Sequence, residues 1–196
     1  MTDFTAVEKL VHGQEIIDAI HRYARAIDRV DAELLKSVFW EEGAYCQIMN
    51  DACVHEAAES IVGWMNETFA VTQHALSTTN LAFADAERAK TETYFTAFHL
   101  TRPKLDRAKL ESIIGARRIA ELGGDYSESY EIVVGGRYLD VFERRNGAWR
   151  IHTRRLLLDW TTTDVGRGLR KDEGLILSSN TRAWSTRDQS DPSYLL

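Results

Sequence analysis

Several patterns that mark large classes of protein are missing from this chain. Cysteine is scarce: only Cys46 and Cys53 occur among 196 residues. Two cysteines without metal-type spacing build neither a zinc site nor a disulfide framework, and they read as inert, reduced thiols of a cytoplasmic protein. Positive charge is not in excess, since 24 Lys and Arg stand against 30 Asp and Glu for a net charge of -6. That argues against nucleic acid, which calls for a clustered basic surface. No apolar run approaches the ~20 residues of a membrane span. The opening Met1-Thr2-Asp3-Phe4 lacks the basic-then-apolar pattern of a signal peptide. The six histidines (His12, His21, His55, His74, His99 and His152) show no HxxxH spacing and no accompanying acidic triad, so neither a metal nor another cofactor is expected. Internal repeats and low-complexity segments are absent as well.

What is present is an ordinary globular composition, 44% hydrophobic and 28% charged, of a length that suits one domain with an appendage. Five Trp, seven Tyr and seven Phe supply a core, and a pocket for a flat apolar ligand would draw on the same supply. From Thr5 to Ile27 apolar residues recur at Val7, Leu10, Val11, Ile16, Ile17, Ile20, Tyr23, Ala24 and Ile27, the stripe of an amphipathic helix. Asp31 caps a second short helix, Ala32 to Phe39. A short strand is expected over Tyr45 to Met49 and a third helix from about His55 to Phe69. Long strands come after it at Gln73 to Phe83, Lys90 to Leu100, Glu131 to Arg144 and Ala148 to Trp160. Pro103 to Tyr126 interrupts them with helical spacing that ends at Gly123-Gly124, an insertion placed where it could act as a lid.

Asn146-Gly147 marks a tight hairpin between the last two strands, because a type I′ turn requires positive φ at both central residues. His152 and Arg154 stand beyond it at a two-residue spacing that predicts one shared sheet face. Helices first and an antiparallel sheet afterwards make an α+β fold: a cone-shaped barrel, with N-terminal helices packed on a curved, mixed, mainly antiparallel sheet that encloses a pocket. The expected organisation is one domain over residues 1–160, the insertion at about 103–126, and a polar C-terminal extension over 161–196 closing on Asp191-Pro192-Ser193-Tyr194.

Two further places could carry chemistry. Asp28 ends the first helix after the apolar Ile27, and Asp31 is the better placed of the two to cap the second helix, so Asp28 is available to point inward. His74 opens a strand beside apolar residues, where a lone histidine is more often scaffold than catalyst.

Taken together, Tyr23-x4-Asp28, His74 at a strand start and Trp149-x4-Arg154 resemble the SnoaL-like branch of the nuclear-transport-factor-2-like superfamily, over roughly Val7 to Trp160. Within it the pattern is similar to the hexachlorocyclohexane dehydrochlorinase, scytalone dehydratase and bile-acid 7α-dehydratase group. The resemblance implies an Asp28–His74 dyad in which His74 is the general base, with Tyr23 and Arg154 as further catalytic groups that stabilise the leaving group. His99 stands on a strand where scytalone dehydratase has a second histidine, and Leu158 where the bile-acid enzymes have an arginine; with Trp40 and Tyr45 they are the expected substrate-binding positions. The stretch from His74 to Asn80 is two residues longer than in the dehydrochlorinase, which predicts a β-bulge.

The activity so implied is a cofactor-independent lyase that eliminates water, halide or formaldehyde from a small aromatic or polycyclic molecule. An isomerase or cyclase would use the same base without losing a group. The contrasting reading is non-catalytic: the small β subunits of aromatic-ring-hydroxylating dioxygenases share this fold. A homodimer or homotrimer is expected, because the open sheet face is apolar.

Overall fold

The computed structural model describes residues 5–46, 52–166 and 185–195; the side chains of Tyr45, Cys46 and Ala52 lie outside that description, as do residues 47–49 of the expected first strand. Helix α1 (Ala6–Arg29) is followed by α2 (Ala32–Val38), strands β1 (Phe39–Cys46) and β2 (Ala52–Cys53), and α3 (Val54–Thr68). Strands β3 (Phe69–Phe83) and β4 (Arg88–Thr101) come next, then helices α4 (Arg107–Ile114) and α5 (Ala116–Glu121), and finally β5 (Tyr130–Arg145) and β6 (Ala148–Val165). The first strand therefore starts at Phe39, not Tyr45, and the last runs five residues beyond Trp160, into the segment expected to be irregular. Among the described residues no helix is long and apolar enough to cross a membrane.

Helix α1 opens with a capping box, Thr5 and Glu8 satisfying each other's backbone N–H. It ends at Val30, which adopts a left-handed φ of 57°. A β-branched residue there costs roughly 1–2 kcal/mol, and the Val30 and Asp31 N–H groups, donating to the Ile27 and Ala26 carbonyls, close the α1–α2 corner just beyond Asp28. Ile16, Ala19, Ile20, Tyr23 and Ile27 form the buried stripe of α1. Asp31 caps α2 through the Leu34 N–H at 2.9 Å.

The sheet has the order β2-β1-β6-β5-β4-β3. All neighbours are antiparallel except β1 and β6, which run parallel, so the sheet is mixed and mainly antiparallel as expected. Helix α1 lies across it, and Phe95, Ala97, Tyr138, Phe142, Trp149 and Ile151 join the helix stripe in one core. Burying each of the large side chains among them contributes roughly 1.5–3 kcal/mol. The hairpin turn is a two-residue one with φ of 52° at Asn146 and 84° at Gly147.

Bulges decide which side chains enter the core. Counted outward from the turn, Arg145 pairs with Ala148 and Phe142 with Ile151, but Val141 then pairs with Thr153. His152 is the extra residue. It breaks the alternation, so Ile151 and Arg154 both face the core while His152 stays partly exposed near Glu42. The shared face expected for His152 and Arg154 is thus corrected by one bulge. A second register shift falls between Leu76 and Thr79 on β3, inside the stretch where the sequence predicts one.

Helices α4 and α5 build a satellite core of Leu110, Ile119 and Tyr130, with Val165 packed against it, and Ile113 and Ile114 reach the main core. The insertion thereby caps the end of the sheet where β4 stops and β5 begins. Gly136 is needed on β5 because a Cβ there would stand 2.3 Å from the Leu157 carbonyl oxygen and 2.8 Å from the Phe95 ring. Since a backbone atom cannot swing aside, Gly136→Ala should destabilise the fold by about 1–3 kcal/mol in urea unfolding. A neutral result would show that β5 and β6 can separate there without loss.

Candidate active site

Asp28 sits in the last turn of α1 and His74 five residues into β3, the edge strand beside it. One carboxylate engages both donors of the histidine: Oδ1 accepts from the ring Nδ1 at 2.8 Å and Oδ2 accepts the His74 backbone N–H at 2.9 Å. Burial alone would raise the Asp28 carboxyl, but the His74 ring and backbone bonds outweigh it and hold the group below the usual carboxylate range. An ionised carboxylate can only accept, so Nδ1 carries a proton, and in the neutral ring Nε2 is left to present its lone pair. Nε2 has no hydrogen-bond partner among the described residues.

Both residues line an open groove of about 470 Å³ with His21, Ala24, Arg25, Arg29 and Leu76. Its arginines are held from the C-terminal segment. Arg25 donates to the Ser193 hydroxyl at 3.1 Å and lies over the Tyr194 ring at 4.6 Å. Arg29 meets the buried Asp191 at 3.5 Å, and the Tyr194 hydroxyl donates to Asp31 at 2.7 Å. Arg187 of the same segment reaches the Asp28 carbonyl, and burial pulls its guanidinium down to about 10, still cationic at neutral pH. Residues 185–195 of the expected extension therefore belong to this site.

Tyr23 and Arg154 form a second set, separate from the first. Arg154 has no exposed surface and makes a two-point ion pair with the buried Asp140, Nε to Oδ1 at 2.7 Å and Nη2 to Oδ2 at 2.6 Å. Its guanidinium is sandwiched between the rings of Tyr23, at 4.0 Å, and Tyr138, at 4.2 Å. Burial opposes the charge on Arg154, but the Asp140 carboxylate more than compensates and holds it above its ordinary value. Burial likewise raises the Tyr138 hydroxyl, so that it stays protonated. Aromatic packing links the two sets: Tyr138 stacks on Phe95 at 4.4 Å, and Phe95 lies 6.5 Å from the His74 ring.

The remaining expected positions divide. His99 stands edge-on to His74 at 5.4 Å and against Phe69 at 4.8 Å, behind the dyad and away from the groove wall. Trp40 lies at the sheet rim, donating to the Glu143 carbonyl at 3.0 Å beneath Arg145 and Arg150. Leu158 is 62% exposed, and the Tyr45 side chain is outside the described residues. Cys53 is half-buried and its thiol donates to the Glu41 carbonyl at 2.9 Å. Among the described residues no three His, Cys, Asp or Glu side chains gather to hold a metal ion.

Sequence reasoning passed over Asp140, Tyr138 and Arg187. Asp140 was within reach of it: counting from the turn puts Thr153 opposite Asp140, and the bulge moves Arg154 into that place. For Arg187, in a polar stretch without periodicity, no signal existed.

A model of the SnoaL-like domain family matches residues 8–155. No curated protein matches the sequence. Among solved structures, a candidate scytalone dehydratase from Novosphingobium aromaticivorans is 21% identical with a TM-score of 0.60, over 83% of this chain and 91% of its own. A type 3 hexachlorocyclohexane dehydrochlorinase from Novosphingobium barchaimii is 14% identical with a TM-score of 0.65, over 87% and 100%. A candidate aromatic ring hydroxylase from Novosphingobium aromaticivorans is 15% identical with a TM-score of 0.56, over 80% and 94%. At such identities the likeness is one of fold.

Removing one partner of a buried ion pair strands the other charge. Asp140→Ala should cost about 3–5 kcal/mol in urea unfolding, and Asp140→Ala with Arg154→Met distinctly less than the two single losses added. Strict additivity would mean the pair is not coupled.

His99 gives a pH prediction. Burial, reinforced by the neighbouring His74 and Arg187 and opposed by Asp28, depresses its titration from 6.5 to about 4. Between those values the unfolded chain binds more protons than the folded one, so stability falls as pH drops from 6.5 towards 4, by at most roughly 1.4 kcal/mol per pH unit. His99→Phe should flatten that slope in thermal melts; an unchanged slope would assign it to other groups.

Proposed function

The chain belongs to the SnoaL-like domain family, and we propose that it is a cofactor-independent lyase that abstracts a proton from a small molecule bound beside His74. The observation that carries this reading is the two-point grip of Asp28 on His74 at the wall of an open groove. It supplies a base of fixed tautomer, with the imidazolium that forms on proton transfer stabilised by the carboxylate beside it.

In the proposed reaction His74 Nε2 takes a proton from an acidic carbon of the substrate. The electron pair left behind forms a double bond to the neighbouring carbon, and the group on that carbon departs with its bonding pair as halide or, after protonation, as water. Release of formaldehyde from a hydroxymethyl group would use the same base on the hydroxyl proton. The C=O forms, the carbon–carbon bond breaks, and its electron pair makes a double bond to the next carbon as the group there departs with its own bonding pair. Arg25 and Arg29, on the same groove, provide the cationic side that meets a departing anion. The groove's volume suits a substrate of one or two rings, with Leu76 and Ala24 as apolar contacts. Two neighbours in fold are described as a dehydratase and a dehydrochlorinase, both names of eliminations. The Tyr23–Arg154–Asp140 set has a supporting part in this scheme, holding α1 to β5 and β6 beneath the site. The protein acts as a homo-oligomer that covers the exposed Tyr94 and Trp160.

The reading is tested with a panel of β-hydroxy and β-halo aryl substrates. His74→Ala and Asp28→Asn should each lower turnover by about 10²–10⁴-fold while leaving the circular dichroism spectrum and melting point near wild type. Undiminished activity in both variants would remove the dyad from the chemistry. Co-purification with a larger iron-containing subunit, and no turnover by the isolated chain, would favour a non-catalytic partner.

A further inference from the structure

Resting on the reading of Asp28 and His74 as the working pair, we propose that Arg187 is a positioning residue for the dyad: its guanidinium ties together the ends of the elements that carry Asp28 and His74, which makes the C-terminal segment part of the site. Arg187 Nε donates to the Asp28 carbonyl at 3.3 Å, and Nη1 donates to the carbonyls of Met65 at 3.2 Å and Phe69 at 2.5 Å. Asp28 lies in the last turn of α1, Met65 in the last turn of α3, and Phe69 is the first residue of β3.

Two of the three acceptors, Asp28 and Met65, lie in the last turn of a helix, the Met65 carbonyl also accepting the Phe69 N–H, and Phe69 directly follows α3. The last four carbonyls of a helix have no intrahelical partner, and the helix dipole concentrates partial negative charge there. Two helix C-termini converge on one point, beside the start of the strand that carries His74 five residues on. A planar cation with donors on several edges can serve all three carbonyls from that point, whereas an ammonium concentrates its charge on one atom. The cation also lies close enough to the Asp28 carboxylate to interact with it, and it is not among the residues that line the groove.

Helix α3 runs directly into β3 at Thr68–Phe69, and Arg187 ties this junction to the end of α1, the element that carries Asp28. The Asp28–His74 bond spans two separate elements, α1 and β3, and its length depends on how they are held. Arg102 binds the neighbouring Asn66 carbonyl at 2.7 Å, but it reaches neither α1 nor β3 by hydrogen bond. Arg187 itself is delivered by a knot around Asp191: that carboxylate accepts the Thr186 N–H at 2.9 Å and the Ser193 N–H at 3.0 Å and meets Arg29 at 3.5 Å. Arg187 Nη2 is buried with no hydrogen-bond partner among the described residues.

The test reads the histidine itself and needs no substrate. Ring ¹⁵N shifts of His74 in the labelled full-length protein distinguish the Nδ1–H form from the Nε2–H form, and His74→Ala assigns the signal. Wild type should show the Nδ1–H form. Arg187→Met should give a mixture of both forms, Arg187→Lys should keep most of the Nδ1–H form, and millimolar guanidinium should restore it in Arg187→Met. Asp191→Ala, which undoes the knot and leaves the carbonyl cage intact, should produce the same mixture to a lesser degree, and it serves where Arg187→Met does not fold. A His74 signal that stays fully Nδ1–H in these variants, whatever their melting points, would reduce Arg187 to scaffold and overturn the proposal. Because the shifts are independent of turnover, a normal tautomer response with a fully active His74→Ala would instead sink the lyase reading alone.

Discussion

One carboxylate taking two donors from one residue is the interaction on which the rest of this molecule turns. By accepting both the ring and the backbone N–H of His74, Asp28 fixes the histidine's tautomer and rotation and at the same time pins the end of α1 to the edge strand β3. The pin is partly buried, and a half-made version of it would leave a charged group short of partners inside the protein. The surrounding structure therefore has to hold α1 and β3 in register. The left-handed corner at Val30, the α1 stripe against the sheet and the docked C-terminal segment all do so from different directions.

The second polar cluster solves a different problem. Arg154 and Asp140 are charges placed in the middle of the core, where each alone would be prohibitively costly. They persist because the carboxylate meets the guanidinium at two points and two tyrosine rings cover its faces. The groove that holds the dyad is lined by residues of α1 and β3 and includes neither Arg154 nor Asp140. The resemblance places Arg154 across a pocket from the base. Here it is spent on Asp140, and the cations that share a groove with His74 are Arg25 and Arg29.

Much of the architecture was legible because it rests on local rules. The period of Ile16, Ile20, Tyr23 and Ile27 predicted α1, Asp31 predicted the start of α2, and Asn146-Gly147 predicted the turn that pairs β5 with β6. What escaped was non-local. A bulge is invisible to alternation, so His152 and Arg154 were expected on one face until the register showed the extra residue. The strand β1 pairs in parallel with β6 from far along the chain, and its start at Phe39 was hidden because Phe39 also continues the α2 pattern. Arg187 lies in a segment with no periodicity, and its contacts, with the end of α1 and with the α3–β3 junction, are far from it in sequence.

His74 is assigned the removal of a proton from carbon in the step that commits the substrate. The direct measurement is the deuterium isotope effect on kcat/KM for a turned-over substrate labelled at the carbon that loses its proton. A primary effect, roughly threefold or more and still present in Arg187→Lys, is the result expected when C–H cleavage is rate-limiting at a correctly held base. An effect of one, with the label retained in the product, would contradict proton abstraction at that carbon and with it the assigned role of the dyad.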